Sequence, residues 1–378
     1  MWQKFLFLLT LLALSLGLTA CQPRQVMAED RLFLDLSVDF VGAVELPKTE
    51  YEGTTVGGLS GLTYDRQRDR FYAISDDRSR QAPARFYTLQ LTLETTPQVT
   101  LENVTTLKNE QGNTYPENGI DPESIALSPR DTLYISSEGI PKDNIAPFIG
   151  EFNRETGQKL NELRIPKRFL PNTPIRNDNP PHGVQDNLGF EALALGITSV
   201  AEADPFRLFT APEFSLIQDD MEHTPDTQPR LRLLHYGINP VGPPILVSET
   251  LYLLEPIPES AISHGLTELI ALQREGYLLS LERSFSPLMG VTAKLFQVTS
   301  GNATDTSRID NLKSINIVEP MGKRLLFDLN TLDIPLDNLE GMALGPYFPD
   351  GSQSLIFVSD DNFGEEQVTQ FLVFRLYQ

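Results

Sequence analysis

The sequence predicts an all-β protein, a β-propeller. Three observations lead there. One short pattern, an apolar strand opened by an acidic residue and followed by a strand that ends in acid, occurs five times. Gly 25 and Pro 28 in 378 residues imply many turns. No stretch has the apolar periodicity of a helix longer than about three turns. Repetition at this interval is the mark of a propeller or solenoid.

The clearest copy is Asn338-Leu-Glu-Gly-Met-Ala-Leu344, followed by Leu355-Ile-Phe-Val-Ser-Asp-Asp361. Upstream, Asp121–Leu127 leads to Thr132–Glu138, and Gly189–Leu195 leads to Phe206–Glu213. Leu266–Leu272 leads to Tyr277–Glu282. In the first copy, Gly58–Tyr64 leads to Phe71–Asp77, with Ser60 in place of the opening Glu. The openings at 60, 123, 191, 268 and 340 are 63, 68, 77 and 72 residues apart.

Taken in order, the chain begins with a targeting segment, 1–20. Lys4 precedes an apolar run from Phe5 to Leu16, too short for a comfortable membrane span. Leu18-Thr19-Ala20-Cys21 then resembles a bacterial lipoprotein signal, in which Cys21 becomes the lipidated first residue. An ordinary secretory signal with a chance cysteine is the alternative. Residues 21–30 read as a tether and 31–378 as the propeller domain. Leu34, Leu36, Val38 and Phe40 alternate with Asp35, Ser37 and Asp39, which predicts a half-buried strand over Leu32–Leu46. Gln370–Tyr377 mirrors it, and pairing of these two strands would close the ring and remove its edges.

Between the repeats, Arg85–Leu93, Phe148–Phe152, Leu231–Tyr236, Ile245–Leu254 and Lys294–Val298 fit outer strands. Glu155–Gln158 reads as a hairpin turn. Pro166–Asp186 and Gln218–Pro229 read as long surface loops, where function often resides. Five repeats allow five to seven blades. Six are expected, the sixth being a degenerate blade around Leu231–Leu254.

The formal charge is −21. Loss of residues 1–20 removes one lysine and no acid, leaving the mature chain near −22. Such a surface repels nucleic acid and anionic lipid and attracts cations. One cysteine excludes an internal disulfide and a cysteine zinc cluster. The sequence has no Gly-x-Ser-x-Gly, no His-Glu-x-x-His and no P-loop.

Acids at equivalent places in successive blades become neighbours around a propeller axis. Glu123, Glu191, Glu268 and Glu340 form one such set. Asp76, Asp77, Glu138, Glu213, Glu282, Asp360 and Asp361 form a second. If they converge, repulsion raises some pKa values unless a cation intervenes, and oxygen ligands favour Ca²⁺, with Mg²⁺ second. Alternatively, each carboxylate braces its own blade by accepting backbone N–H groups. His182 and His264 stand beside repeat openings, as proton shuttles, phosphate contacts or ordinary loop histidines.

These stretches together resemble the phytase-like domain family, known as esterase-like activity of phytase. The resemblance rests on Gly58–Tyr64 with Phe71–Asp77, Asp121-Pro-Glu123 with Ile135–Gly139, and Asn187–Glu191. It continues through Leu279–Arg283, Asp337–Pro346 and Val358–Phe363. One departure is Asp186-Asn-Leu-Gly189, where the family pattern has an Arg shortly before Asn-x-Gly-Phe-Glu. The resemblance implies a propeller, a secreted or envelope location, and phosphoester or ester hydrolysis with Ca²⁺. It brings no catalytic set with it.

The expected function is therefore extracytoplasmic phosphoester hydrolysis by a lipid-anchored monomer. The substrate would be a small ester, with no nucleic-acid partner and no membrane contact beyond the anchor. Expected metal ligands are Glu123, Glu191, Glu340, Asp360 and Asp361. Expected catalytic residues are Glu138, Glu282 and Arg283, the last contacting phosphate. A non-catalytic envelope scaffold and a metal-dependent lactonase or carboxylester hydrolase are the other readings.

Overall fold

The computed structural model describes residues 32–94, 96–172, 180–197, 199, 201–313, 315 and 317–378. The expected signal segment, Cys21 and the tether lie outside the described residues. Asp35–Gln378 form one compact unit, and the description below concerns that unit.

Its strands are β1 (Ser37–Leu46), β2 (Thr49–Tyr51), β3 (Thr54–Val56), β4 (Leu59–Asp65), β5 (Arg70–Ser75), β6 (Arg85–Leu91) and β7 (Val99–Thr106). There follow β8 (Pro122–Leu127), β9 (Thr132–Ser137), β10 (Phe148–Asn153) and β11 (Lys159–Glu162). Next are β12 (Phe190–Gly196), β13 (Phe206–Pro212), β14 (Arg230–Ile238) and β15 (Ile245–Leu253). The last are β16 (Ser263–Ala271), β17 (Tyr277–Ser286), β18 (Gly290–Thr299), β19 (Gly322–Asp328), β20 (Asn338–Tyr347), β21 (Gln353–Asp360) and β22 (Thr369–Tyr377). Among the described residues there is no α-helix, and no helix long and apolar enough to cross a membrane.

Four blades are four-stranded sheets in chain order, β4–β7, β8–β11, β12–β15 and β16–β19. The fifth has the order β20-β21-β22-β1. Its outermost strand is β1, the first among the described residues, which pairs antiparallel with β22 from Ser37↔Tyr377 to Leu46↔Thr369. The propeller thus has five blades, one per repeat, and not the six expected. Residues 231–254 form no blade of their own. They are β14 and β15, the outer half of blade three, paired with β13 and with each other. The loop between β13 and β14 stretches this repeat, and that length imitates an extra sheet.

The innermost strands β4, β8, β12, β16 and β20 touch in cyclic order, and β20 returns to β4. Their approach is close because small residues stand there. A Cβ added at Gly341 would lie 2.8 Å from the Ser60 carbonyl oxygen and 2.9 Å from Gly61 Cα. Apolar side chains fill the seams between blades, for example Ile74, Phe86, Ile135 and Phe152 between blades one and two. Burial of such groups contributes about 25 cal/mol per Å² of apolar surface and holds the blades as a rigid ring.

Candidate active site: a two-tiered carboxylate funnel

Each inner strand opens with a bulge. In β4 and β5, Leu59↔Ser75 is followed by Gly61↔Ile74, so Ser60 is the extra residue. Glu191, Thr267 and Glu340 are extra in blades three, four and five by the same shift. In blade two the shift leaves Glu123 and Ser124 between Pro122↔Ser137 and Ile125↔Ile135. A bulge re-aims its side chain, and here it makes the first tier: Ser60, Glu123, Glu191, Thr267 and Glu340. The second tier is the residue after each partner of the opening pair: Asp76, Glu138, Glu213, Arg283 and Asp360.

This register corrects the grouping by letter alone. Thr267, not Glu268, is equivalent to the opening acids. Glu268 stands one residue further in, level with Gly61, Ser124, Ala192 and Gly341. Its buried carboxylate accepts from Ser124 Oγ at 2.7 Å, Leu193 N at 3.0 Å and Leu269 N at 2.9 Å. One side chain therefore ties together the inner strands of blades two, three and four. Burial pushes its pKa up to about 8, although these three donors pull the other way.

Above that layer lies a cavity of about 1020 Å³, lined by Asp76, Glu123, Glu191, Glu213, Glu340 and Asp360, with Arg283 its only Lys or Arg among the described residues. On the side of blades one to three, Asp76, Asp121 and Glu123 offer oxygens within 4.8 Å of one another, and so do Glu123, Glu138 and Glu191. Glu123 belongs to both groups. Arg78 Nε donates to Asp121 at 2.5 Å and Nη2 to Asn187 Oδ1 at 2.7 Å, with Glu138 at 3.6 Å. A guanidinium therefore does reach the Asn187 element, where the family pattern puts an Arg, but from blade one. The other oxygen of Asp121 is buried with no hydrogen-bond partner.

On the side of blades four and five, Arg283 takes the centre. Its Nη2 lies 3.0 Å from Glu340 and 3.4 Å from Glu213, and its Nη1 donates to Ser263 Oγ at 3.0 Å. Asn338 also donates to Glu340, at 2.8 Å.

Eight carboxyl groups thus face two guanidinium groups. Burial and then mutual repulsion hold Asp76, Glu123, Glu191, Glu138 and Asp360 well above the usual carboxylate range. Burial raises Asp121, and Arg78 holds it back. Burial raises Glu340 also, against Arg283 and Asn338. Burial pushes Glu213 up to about 7, with Arg283 opposing.

Two expected site residues stand outside the funnel. Glu282 faces away, accepting from Tyr252 Oη at 2.6 Å, Glu255 N at 2.9 Å and Lys323 Nζ at 2.7 Å. The register gives the reason: Glu282 pairs with Leu266 in the ladder, and its neighbour Arg283 takes the second-tier place. Asp361 accepts from Gly58 N at 2.8 Å and Phe363 N at 3.1 Å, joining blade five to blade one. Asp77 is likewise a brace, 2.7 Å from buried Arg85 and capping the amides of Arg80, Gln81 and Ala82. The other expected residues, Glu123, Glu138, Glu191, Arg283, Glu340 and Asp360, do come together. Sequence reasoning left Asp121 and Arg78 out of the acid sets. It placed Asp76 and Glu213 in the second set but not in the site. Counting each repeat from the end of its second strand brings in Asp76 and Glu213. Nothing in the repeat marks Asp121 or Arg78.

Residues 54–363 match the family model for phytase-like proteins, described as esterase-like activity of phytase. The chain belongs to the phytase-like family. No curated protein matches the chain significantly. Among solved structures it is similar to an endo-arabinase from Bacteroides thetaiotaomicron, at 11% identity over 85% of this chain and 95% of that one, TM-score 0.43. It is similar to the catalytic domain of an α-L-arabinofuranosidase from Coprinopsis cinerea, at 10% identity over 90% and 96%, TM-score 0.39. It is also similar to the N-terminal domain of Nup159, at 8% identity over 91% and 96%, TM-score 0.33. At these levels no activity passes from them to this phytase-like chain.

Proposed function

We propose that this phytase-like protein is a divalent-cation-dependent phosphoester hydrolase of the cell envelope. One observation carries the reading: among the described residues, eight buried or half-buried carboxyl groups cluster at one cavity, six of them lining it and Asp121 and Glu138 beside those, with Arg283 and Arg78 to oppose them. Such an array needs protons or cations for neutrality. The donor set fits a hard cation, because every candidate ligand is a carboxylate oxygen and one of them, on Asp121, is buried without a partner.

Asp76, Asp121, Glu123, Glu138 and Glu191 would hold Ca²⁺, or Mg²⁺ in second place. When bound, such a cation supplies positive charge that attracts a phosphate group and polarises its P–O bonds. Arg283 lines the wall opposite and offers its guanidinium to a phosphate oxygen. Glu213 exchanges its proton near neutral pH, which suits it to pass a proton to the leaving oxygen or accept one from water. Glu340 and Asn338 keep the guanidinium plane in place. Leu18-Thr19-Ala20-Cys21 supports export and lipidation at Cys21, with the propeller a monomer outside the cytoplasmic membrane. Incorporation of an alkyne fatty acid that Cys21→Ala abolishes would test the anchor.

The decisive test is phosphate release by the full chain from an aryl phosphate and from phytate, with Ca²⁺ and then with chelator. Calcium-dependent turnover that falls about 100-fold or more in Glu123→Gln, with the fold intact, is expected. No turnover on either substrate, with a melting temperature indifferent to Ca²⁺, would overturn the reading in favour of an envelope binding protein.

A further inference from the structure

Blade four carries a second constellation that the acidic cavity does not use. His264 on β16 and Ser284 on β17 stand directly opposite each other in the antiparallel ladder. Ser284 Oγ lies 2.7 Å from His264 Nδ1, and His264 Nε2 lies 2.9 Å from the carbonyl oxygen of Glu255. A carbonyl only accepts. The ring proton therefore sits on Nε2, and Nδ1 is left bare to receive the serine proton. These three groups are placed as the nucleophile, base and orienting acceptor of a hydrolytic triad would be, with a backbone carbonyl in the third place.

Both side chains line a separate pocket of about 240 Å³. Pro256, Pro258, Ala261 and Met289 give it apolar walls, Glu255, Glu259 and Glu282 also line it, and among the described residues Lys294 is its only Lys or Arg. Burial lowers the imidazole pKa, which favours the neutral ring. The bond to the Glu255 carbonyl and then the Glu282 carboxylate favour the imidazolium, while Lys323 and Arg283 oppose it.

We propose that Ser284 and His264 form a second catalytic centre, an acyl-transfer dyad acting on small esters with an apolar acyl group. Ser284 Oγ attacks the ester carbonyl carbon as its proton passes to His264 Nδ1. The bond from that carbon to the alkoxy oxygen breaks, and the leaving alcohol takes the proton from Nδ1. Water then attacks the acyl-serine by the same route, giving the acid and restoring the hydroxyl. Lys294 supplies positive charge for the oxyanion. No metal takes part, which separates this centre from the funnel.

The full chain should be labelled by a fluorophosphonate probe, with the adduct mapped to Ser284 by mass spectrometry. It should hydrolyse p-nitrophenyl butyrate equally with Ca²⁺ and with chelator. Ser284→Ala should abolish labelling and lower hydrolysis about 100-fold or more, and His264→Gln should do the same. Absence of labelling and hydrolysis in the unmodified chain would overturn the proposal without recourse to any variant. So would hydrolysis that survives Ser284→Ala or disappears with chelator. The phosphoester reading fails on different substrates and on calcium dependence, so the two are separable.

Discussion

The two sides of the funnel use the same two tiers of positions and neutralise them differently. On the side of blades one to three, five carboxyl groups gather, and among the described residues Arg78 is the cation paired with them. On the side of blades four and five, Thr267 replaces one acid and Arg283 another, and the guanidinium pairs with Glu213 and Glu340. The first side is completed from outside, by protons or a cation. The second is completed from within. Two changes of residue type, Thr267 in the first tier and Arg283 in the second, thus turn part of a cation-seeking surface into an ion-pair network.

Several substitutions would break that contrast. The largest loss of stability is expected from Arg283→Met. It leaves Glu213 and Glu340 buried without their cation, and breaking a buried pair from one side costs about 3–5 kcal/mol. Urea denaturation would measure it, and a loss under about 1 kcal/mol would show that the acids neutralise themselves by protonation.

Glu268→Ala comes next. It removes the acceptor of Ser124 Oγ and two backbone amides, and with water entering the vacated space to serve part of them the loss is about 1–3 kcal/mol in all. Glu268→Gln keeps most of these contacts and tests the protonation state. The carboxyl is held up to about 8 in the folded chain and returns to the ordinary glutamate range on unfolding. The folded state therefore binds more protons between those values. Its contribution to stability is full at low pH and declines as pH rises towards about 8. Stability of Glu268→Gln should show a flatter decline over this window, and identical pH profiles would contradict the assignment.

On the carboxylate side the sign reverses. Glu123→Gln relieves repulsion shared by both carboxylate groups, so in chelator it should melt a few degrees higher than the unmodified chain. It should also lose most of the rise in melting temperature that saturating Ca²⁺ gives, about 2.7 kcal/mol at one hundred times the Kd. Destabilisation in chelator would mean that Glu123 is already satisfied within the protein. The smallest effect is expected from Asp361→Asn, which weakens a charge-assisted bond to Gly58 N by about 1–2 kcal/mol. It should leave calcium binding by calorimetry unchanged, because Asp361 braces the seam between blades and stands apart from both carboxylate groups.

Much of this was legible in the chain. Asn338–Leu344 with Leu355–Asp361 marks one blade, and its four relatives mark the others, since a period of apolar strand, turn and strand survives in the letters. The blade count went astray at 231–254 because a strand pair carries no label saying which sheet it joins. The acids were found because like residues recur at like places. Glu268 and Glu282 were misplaced because a bulge shifts register by one residue, and one residue turns a side chain to the other face.

The sequence by itself determined the strand composition, the fivefold recurrence and the excess of acid, because local propensity and charge are properties of neighbouring residues. Only the tertiary structure decided which acids meet. Glu123 and Glu191 stand 68 residues apart in sequence and share one cluster of oxygens in space. Glu282, one residue from Arg283, faces away from it. Ring closure sets those distances, and ring closure depends on packing across every seam at once.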